Sequence, residues 1–446
     1  MTVALDKRWL ALYMLCAGEL MIVLDTTIVN VALPSIQSDL GFSETALVWV
    51  VNAYMVTYGG LLLLGGRLGD LYGRRRLFLM GTTLFTVASL ACGLADSREL
   101  LIAARAVQGV GGAVVSAIAM SLIMGLFSEA GERAKAMGVF GFVCAGGGSI
   151  GVLAGGLLTS ALGWESIFLV NLPVGIAVYA FCMKLLPKDE AGVGGALDVT
   201  GAITVTAASM AAIYGIVNGD SLLVVAGAVL FAVFLVVQTR ASHPLMPLRL
   251  FRVRSVSLAN AVGVLWAAAM FAWFFLSALY MQHVLGYDPM QIGLAFLPAN
   301  LIMAVFSIWL SAKLVMRFGL RLPIVGGMLL AAAGLALFAA APAGGGFVPH
   351  VLPGMLLLGL GCGMALNPVM LAAMSEVAPE ESGLASGVVN TSFMMGGAIG
   401  LAVLARLSAS SGYNLAFAIG AAFALLAAFL AVFFSSSSSE RVAYAR

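Results

Sequence analysis

The stretch GRLGDLYGRRRLFLMG, residues 66–81, decides the fold, because a weaker copy of it, AKLVMRFGLRLPIVGG, lies at residues 312–327. Gly73 aligns with Gly319 and Arg75 with Arg321, both at an offset of 246. A second pair of stretches, GVFGFVCAGGGSIG at 138–151 and GVVNTSFMMGGAIG at 387–400, aligns at an offset of 249. Two matches in the same order, at nearly the same offset, predict that the chain contains two parallel repeats.

Long apolar runs surround these segments. Of the 446 residues, 62% are hydrophobic and 9% are charged, and nearly every charge falls between the runs. A membrane-spanning helix needs about 20 mainly apolar residues, and hydrocarbon excludes irregular backbone with unsatisfied polar groups. The sequence therefore predicts an all-α membrane protein. Its fourteen predicted transmembrane helices cover residues 9–33, 47–64, 77–94, 100–126, 136–158, 167–186, 199–217, 222–237, 258–284, 292–315, 322–341, 351–374, 384–407 and 415–434.

The positive charges are distributed unevenly between the two ends of these helices. An even number of helices brings both termini to one side, where 19 of the 22 Lys and Arg residues then fall. Arg98 and Arg406 fall on the other side, and Arg105 lies within helix four. Cytoplasmic loops are rich in Lys and Arg. We therefore expect a multi-pass protein of a bacterial inner membrane with both termini in the cytoplasm.

The repeats and the helix count together define the expected domains. Residues 1–190 are predicted to form an N-terminal six-helix bundle and residues 249–434 a C-terminal one, related by a pseudo-two-fold axis. Residues 191–248 are predicted to link the bundles through two extra transmembrane helices, seven and eight. Residues 435–446 are expected to be a cytoplasmic tail.

The residues that mark other classes of protein are missing or scattered. The five cysteines all lie in apolar runs without CxxC spacing, so neither a disulfide framework nor a metal site is expected. No HExxH motif, nucleophile elbow or Walker loop occurs in the sequence. We therefore expect no enzyme, no cofactor and no nucleic-acid partner.

The loop after helix two, GRLGDLYGRRR at residues 66–76, resembles the signature loop of the major facilitator superfamily. Asp70 at a helix end is placed to meet a cationic group or a helix N-terminus, and Gly73 permits a tight turn. The loop residues expected to take part in conformational gating are Gly66, Arg67, Asp70, Gly73, Arg74 and Arg75.

Further stretches resemble the fourteen-helix drug:proton antiporter branch of that superfamily. LDTTIVNVALP (24–34) is similar to its first-helix motif, RAVQGVG (105–111) to its proton-linked arginine motif, and GGSIGVLAGG (147–156) to its antiporter motif, with Val152 where a proline is usual. WESIFLVNLP (164–173) is similar to the next segment, with Glu165 where an arginine is usual. The resemblance implies a major facilitator fold with two inserted helices.

Three ionisable residues, Glu19, Asp25 and Arg105, lie inside apolar runs. A charge in hydrocarbon costs about 2.5–3.5 kcal/mol on insertion scales, so such residues are usually functional. At 1.5 Å per residue, Asp25 lies about 12 Å and Arg105 about 8 Å from the outer ends of their helices, so their depths match. We interpret the pair as a proton-coupling site. A static ion pair that fastens helix one to helix four is the alternative, and the two roles are compatible.

Glu19 lies on the same helix as Asp25 but points about 120° away from it. Glu19, Thr26 and Asn30 share one stripe, which we predict to face a wet central cavity. Glu19 is interpreted as a second proton site or as a contact for cationic substrates. The alternative is a neutral carboxylic acid hydrogen-bonded to a neighbouring helix.

Two more sets of residues complete the predicted site. Gly147, Gly151 and Gly155 form successive GxxxG steps, which allow close helix approach, and we expect them to pack helix five against the other bundle. Aromatic walls suit bulky or cationic ligands, although lipid-facing aromatics are an equal alternative for helix nine. The predicted substrate-binding residues are Glu19, Thr26, Asn30, Asn52, Trp266, Trp273, Asn300 and Asn390.

The sequence as a whole predicts proton-coupled efflux of amphipathic small molecules by alternating access, with the proton gradient as energy source. The expected partners are the substrate, protons and membrane lipids, and the protein is expected to be monomeric. A lipid or glycolipid exporter of the same fold and a proton-coupled importer remain alternatives. A non-transporting receptor ranks last, because no segment is long enough for a soluble signalling domain.

Overall fold

The computed structural model describes residues 2–127, 129–187, 197–342, 345–378 and 381–434, and within these ranges it contains helices and no strands. Fourteen helical segments match the fourteen predicted runs. They are α1 (Thr2–Leu40), α2 (Glu44–Tyr72), α3 (Arg74–Gly93), α4 (Arg98–Leu126), α5 (Ala130–Leu162), α6 (Ser166–Leu169 with Asn171–Leu185), α7 (Val199–Asn218), α8 (Ser221–Arg240), α9 (Arg254–His283), α10 (Pro289–Val305, continued by the π-helical turn Phe306–Leu310 and by Ser311–Phe318), α11 (Arg321–Ala339), α12 (the π-helical turn Phe347–Val351 with Leu352–Met374), α13 (Ser382–Ser411) and α14 (Tyr413–Ala431).

Most of these helices are individually long and apolar enough to cross a membrane. In the described part of the chain, twelve meet a length and hydropathy criterion for a span. The two parts of α5, Gly131–Gly148 and Ile150–Leu162, are bent by 41° and would together make a thirteenth. The remaining predicted helix is α10, whose longest straight part, Pro289–Val305, is shorter and reaches full length only through its π-helical turn.

Most of the glycines with positive φ lie at equivalent positions of the two repeats. Six of the seven described glycines with positive φ fall into three pairs at equivalent places in the two halves: Gly41 with Gly286, Gly73 with Gly319, and Gly163 with Gly412. The last pair is separated by 249 residues and has nearly identical dihedral angles, φ 89° and ψ 162° against φ 88° and ψ 163°. The seventh, Gly219, lies between α7 and α8. The repeat therefore covers both halves, and the pair α7–α8 stands outside it.

The helices form two six-helix bundles, α1–α6 and α9–α14. The bundles meet mainly where α2 packs against α13 and α5 against α10. The inserted helices α7 and α8 pack on each other, and α7 also packs on α2 and α13. The predicted boundary at residues 190 and 191 and the predicted tail, 435–446, lie outside the described residues.

The inserted pair is fixed at the seam between the bundles. A Cβ at Gly60 of α2 would stand 2.3 Å from Thr206 Oγ1 of α7 and 3.1 Å from Met395 Cε of α13, so three helices meet closely there. The Ser209 hydroxyl of α7 also lies 3.2 Å from the Met395 sulfur. Helix α7 therefore touches one helix from each bundle.

A buried carboxylate holds the segment between α8 and α9. Asp198 caps α7 by accepting from the Gly201 backbone nitrogen at 2.7 Å, and its other oxygen accepts from Gln238 Nε2 at 2.7 Å and from the Leu245 backbone nitrogen at 3.2 Å. Gln238 Oε1 in turn accepts from the Met246 backbone nitrogen at 2.8 Å. These bonds tie α7, α8 and the chain at 245–246 into one unit.

Glycines set the distance between α2 and α4. A Cβ at Gly109 of α4 would stand 2.4 Å from the Tyr54 carbonyl oxygen and 2.2 Å from Thr57 Oγ1 of α2. Because a side chain there would meet backbone, the two helices approach as closely as they do only with glycine at this position. This contact holds α4, and with it Arg105, against α2.

Gly109→Ala should therefore destabilise the protein by about 1–3 kcal/mol, as overpacking of a close contact does. The matched control is Gly138→Ala in α5, where a Cβ would meet nothing within 4 Å. Alanine is the better helix former by roughly 1 kcal/mol, so the control should be neutral or stabilising. Thermal unfolding of both variants in detergent measures the difference, and equal unfolding temperatures would contradict this account of the α2–α4 contact.

Candidate functional site

A buried ion pair lies at the centre of the N-terminal bundle. Asp25 of α1 and Arg105 of α4 are 0% and 1% exposed, and Arg105 Nη1 donates to Asp25 Oδ2. The guanidinium also donates through Nε to the Val50 carbonyl oxygen of α2 at 2.9 Å. The two residues that the sequence analysis placed at matching depths are thus in direct contact.

Three polar side chains from neighbouring helices complete the pair. Gln108 of α4 accepts from Arg105 Nη1 at 2.7 Å and donates to Asp25 Oδ1 at 2.7 Å. Asn171 of α6 donates to the same Asp25 oxygen at 3.3 Å, and Ser89 of α3 accepts from Gln108 at 2.9 Å. Four helices, α1, α3, α4 and α6, therefore contribute to one network.

Aromatic rings cover the faces of the guanidinium. The Arg105 Cζ atom lies 4.5 Å from the centre of the Tyr54 ring and 5.6 Å from that of Phe168. Cation–π contact of this kind is strongest where water is excluded. The rings complete the low-dielectric surroundings in which the attraction between Arg105 and Asp25 acts.

The side chains around Asp25 match the acceptor oxygens of its carboxyl group. All three side chains that meet these oxygens, from Arg105, Gln108 and Asn171, act as donors. A carboxylate accepts hydrogen bonds and donates none, so donors on every side satisfy it. One group on α1 therefore holds side chains of α4 and α6 in place.

Glu19 lies in a second polar cluster of the same bundle. Its side chain is 6% exposed, and its Oε2 has no hydrogen-bond partner among the described residues. The Ser116 hydroxyl of α4 lies between the Glu19 carboxyl group and the Tyr58 hydroxyl of α2, close to both. It is itself buried and meets no partner in good hydrogen-bond geometry. A buried polar atom without a partner is uncommon and calls for a ligand, water or a functional explanation.

Tyr54 connects the two clusters. Its ring lies over Arg105, and its buried hydroxyl, which also has no partner among the described residues, lies against Gly112 of α4. Its ring also stacks on that of Tyr58, with 5.7 Å between the ring centres. Tyr54 therefore contacts one member of each cluster.

The rest of the predicted α1 stripe bonds within its own helix. Thr26, which is half-buried, donates to the Val23 carbonyl oxygen at 2.8 Å. Asn30, which is 5% exposed, donates to the Thr26 carbonyl oxygen at 3.0 Å. Their donors are thus satisfied locally, and only Glu19 on this stripe carries an unpartnered atom.

The prediction that the α5 glycine stripe packs against the other bundle is wrong. Cβ atoms at Gly147, Gly151 and Gly155 would meet α1, at Val23, Thr27 and the Ile28 carbonyl oxygen. Residues four apart lie on one face of a helix, so the three glycines all face the same neighbour. That neighbour is α1, in their own bundle. The face that meets α10 instead carries Val152 and Gly156.

Several residues predicted to contact substrate are packed against neighbouring helices in this conformation. Asn52 is fully buried and donates to the Ala398 carbonyl oxygen of α13 at 2.9 Å, which makes it a bond between the bundles. Trp266 and Trp273 are 1% and 2% exposed, and Trp273 packs on Phe274 and Phe296. Asn300 is buried and donates within α10, to the Phe296 carbonyl oxygen. Asn390 is half-buried.

The signature loop makes the predicted turn. Gly73 ends α2 with φ 96°, and α3 begins at Arg74. Arg75 Nη2 donates to the Met183 carbonyl oxygen at the end of α6, so the loop is fastened to a third helix. A Cβ at Gly66 would stand 3.9 Å from the Ala117 Cβ of α4, an ordinary contact. Arg67 is half-buried beside the chain that links α8 to α9. The side chain of Asp70 lies outside the described residues.

The bundles are in contact at the face opposite the chain termini. There Gly156 of α5 meets Gly293 of α10, where an added Cβ would stand 3.3 Å from the Gly293 Cα. His283, at the end of α9, lies 3.7 Å from Glu44 at the start of α2 and 3.1 Å from the Tyr413 hydroxyl. These contacts close that face in the present conformation.

Sequence reasoning missed Gln108, Ser89 and Asn171 as members of the site. Gln108 and Asn171 lie inside two of the motifs quoted above, three residues after Arg105 and in the segment that follows α5. A three-residue step places Gln108 on the same face of α4 as Arg105, which was a usable signal. Ser89 has no signal in the sequence, because serine is common in transmembrane helices.

The chain belongs to the major facilitator superfamily. The model of the Major Facilitator Superfamily matches residues 15–400 and, again, residues 261–443. The puromycin resistance protein pur8 of Streptomyces alboniger is 42% identical over 90% of this chain and 82% of its own length, and the cephamycin export protein CmcT of Amycolatopsis lactamdurans is 37% identical over 94% and 90%. The solved structure of the POT family transporter PepTSo superposes with a TM-score of 0.72 at 15% identity, covering 97% of this chain and 98% of that one, and shows the same fold. The protein is thus a multi-pass membrane protein of this superfamily.

The charge pair should behave as a unit in unfolding experiments. Removing one partner leaves the other charge buried, so Asp25→Leu should cost about 3–5 kcal/mol, whereas adding Arg105→Met should recover most of that loss. The double-mutant cycle, measured by thermal unfolding in detergent, gives the coupling free energy. Additive effects of the two substitutions would show that the residues do not stabilise each other.

Proposed function

We propose that this protein exports amphipathic small molecules, drugs or antibiotics, in exchange for protons, by alternating access of the two bundles. The observation that carries the proposal is the buried Asp25–Arg105 pair and its donors, located in a chain of the major facilitator superfamily. The names of similar proteins support the substrate class: they include a puromycin resistance protein, a cephamycin export protein and a lincomycin resistance protein.

In the proposed cycle, substrate enters from the cytoplasm or the inner leaflet while the opposite face is closed. Opening of that face exposes Asp25 to external protons, and protonation weakens its attraction to Arg105. The four helices of the network then relax, which favours release of the substrate. Loss of the proton toward the cytoplasm restores the ion pair and resets the transporter. Each ligand shifts the equilibrium because it binds one conformation better than the other.

The location follows from the charge distribution. The excess of Lys and Arg on the side of the termini favours cytoplasmic termini in a bacterial inner membrane. The substrate leaves chemically unchanged, so the proposal includes no catalytic group and no cofactor, and the proton gradient supplies the energy. We propose that one chain is sufficient, since each bundle supplies its own half of the interface.

Glu19 is proposed to receive the cationic part of a substrate or a second proton. Its carboxyl group is buried and has an unpartnered oxygen, and its neighbour Tyr58 stacks on Tyr54, which covers Arg105. A cationic substrate at Glu19 would supply the missing partner of that oxygen. Competition between substrate and proton for coupled carboxyl groups is a direct way to make their binding mutually exclusive.

The gating role of the signature loop rests on its attachments. Gly73 allows the turn between α2 and α3, and Arg75 ties that turn to α6, so the loop moves with the N-terminal bundle. The glycine stripe of α5 has a different proposed role. Because it binds α5 to α1, the two helices move as one body, and the sliding contact between bundles is Gly156 against Gly293.

Asp25→Asn should abolish proton coupling. Substrate-induced proton release from the purified protein in detergent should fall to background for puromycin and for cationic dyes. Proton-driven uptake into inverted vesicles should also stop, because the amide side chain does not bind and release a proton. Asp96→Asn, the same change at an exposed position between α3 and α4, is the matched control and should behave as wild type. Undiminished gradient-driven transport by Asp25→Asn would refute the coupling role.

Glu19→Gln should separate cationic from neutral substrates. We expect at least a tenfold loss of affinity for a cationic dye, about 1.4 kcal/mol, with little change for an uncharged substrate. Glu99→Gln, at an exposed carboxylate of α4, is the control. Equal losses for charged and uncharged compounds would assign Glu19 a structural role, and loss of proton release alone would make it the second proton site.

A further inference from the structure

An apolar cavity lies between the inserted helices and the C-terminal bundle, outside the site described above. Its volume is about 600 Å³, within the range of sites that hold drug-sized ligands. The side chains that form its walls come from α8, α9 and α13 and include Phe231, Phe234, Val264, Leu265, Met395 and Ile399. Gly60 and Leu63 of α2 close the side that faces the N-terminal bundle.

The cavity is almost entirely hydrocarbon, with a few polar atoms. Asn260 and Thr391 are among the polar residues on its wall. Their side-chain oxygens, Asn260 Oδ1 and Thr391 Oγ1, are buried beneath the cavity surface. The surface that a ligand would meet is therefore apolar, which suits a long hydrocarbon chain.

A second, polar cavity of about 440 Å³ adjoins the first. Both are lined by Leu63 and Leu245, so they lie on either side of these two residues. Arg67, His243 and Arg249 contribute the cationic or titratable groups of the polar cavity, and Asp198 is its one carboxylate. An apolar space thus lies next to a basic one.

Most charges in the polar cavity are already satisfied. Asp198 accepts the three hydrogen bonds described above, and Arg249 pairs with Glu381. Arg67, in contrast, makes no hydrogen bond or ion pair with the described residues. The donors to Asp198 are all neutral groups, so that carboxylate keeps its charge beneath its hydrogen bonds. Arg67 is the cation of this cavity that is left to pair with an anion.

The depth of both cavities matches one leaflet of the membrane. Residues 260–265 lie roughly 9–17 Å along α9 from its start at Arg254, counted at 1.5 Å per residue. The polar cavity lies at the end where the positive residues are concentrated. Basic pockets between transmembrane helices on the cytoplasmic side are places where anionic lipid head groups bind.

We propose that these two cavities form one binding site for an anionic glycerophospholipid of that leaflet. One acyl chain fills the apolar cavity, and the phosphate lies by Arg67 and His243. The lipid would then contact α2 of one bundle, α9 and α13 of the other, and α8 of the inserted pair. The inserted helices thereby acquire a function, because they build the wall that retains the chain.

The test is native mass spectrometry of the full-length, delipidated protein titrated with phosphatidylglycerol and with phosphatidylcholine of the same chains. Wild type should bind one phosphatidylglycerol roughly tenfold more tightly than phosphatidylcholine, as one charge-assisted contact allows. Ala261→Phe, which fills the apolar cavity, should weaken both lipids about tenfold or more. Ala336→Phe on the exposed face of α11 is the matched control and should bind as wild type.

The head-group part has its own variants. Arg67→Ala should remove the preference for phosphatidylglycerol and keep phosphatidylcholine binding, Arg67→Lys should retain the preference, and Arg252→Ala, at an exposed cation outside both cavities, should change nothing. Thermal unfolding identifies any variant that fails to fold, and Leu265→Trp is a second way to fill the cavity.

Three outcomes would overturn the proposal. They are unchanged lipid binding in folded Ala261→Phe and Leu265→Trp, equal affinity of wild type for the two lipids, and binding of a cationic dye that Ala261→Phe abolishes while lipid binding persists. The last outcome would assign the cavity to transported compounds. Because the measurement involves no transport, its result does not depend on the proposed efflux.

Discussion

The buried Asp25–Arg105 ion pair is the constraint on which the N-terminal bundle depends. Two charges without water cost several kcal/mol each unless their attraction and their hydrogen bonds offset the loss of hydration. The bundle meets this requirement with Gln108, Asn171 and the Val50 carbonyl oxygen, which come from three helices besides α1. The positions of α1, α2, α4 and α6 are therefore fixed by one shared requirement, the stabilisation of this ion pair.

The contacts within and between the bundles differ in kind. Inside the N-terminal bundle, glycines bring backbones together, as where Gly109 meets α2 and Gly151 meets α1. Between the bundles, Asn52 donates a hydrogen bond to α13, and Gly156 lies against Gly293, backbone to backbone. Bundles that are rigid inside and joined by few directional bonds are suited to rocking as whole bodies.

The inserted pair α7–α8 adds an asymmetric element to a symmetric plan. Its turn glycine, Gly219, has no counterpart in the repeat, and its carboxylate Asp198 fixes the chain before α9. Through α7 it touches α2 and α13, the helices that form one of the two main contacts between bundles. A ligand in the cavity beside it would therefore lie next to the interface between the two bundles.

The sequence by itself determined the helices, the repeat, the family and the two central charges, because apolar length, offset and depth along a helix are one-dimensional properties. It also carried Gln108, three residues after Arg105. Only the tertiary structure decided which helix faces meet. It turned the stripe of Gly147, Gly151 and Gly155 onto α1, buried Trp266 and Trp273 in the core, and made Asn52 a bond between bundles. In a chain that is apolar on nearly every side, hydrophobicity does not distinguish the face toward lipid from the face toward a neighbouring helix, so packing alone assigns them.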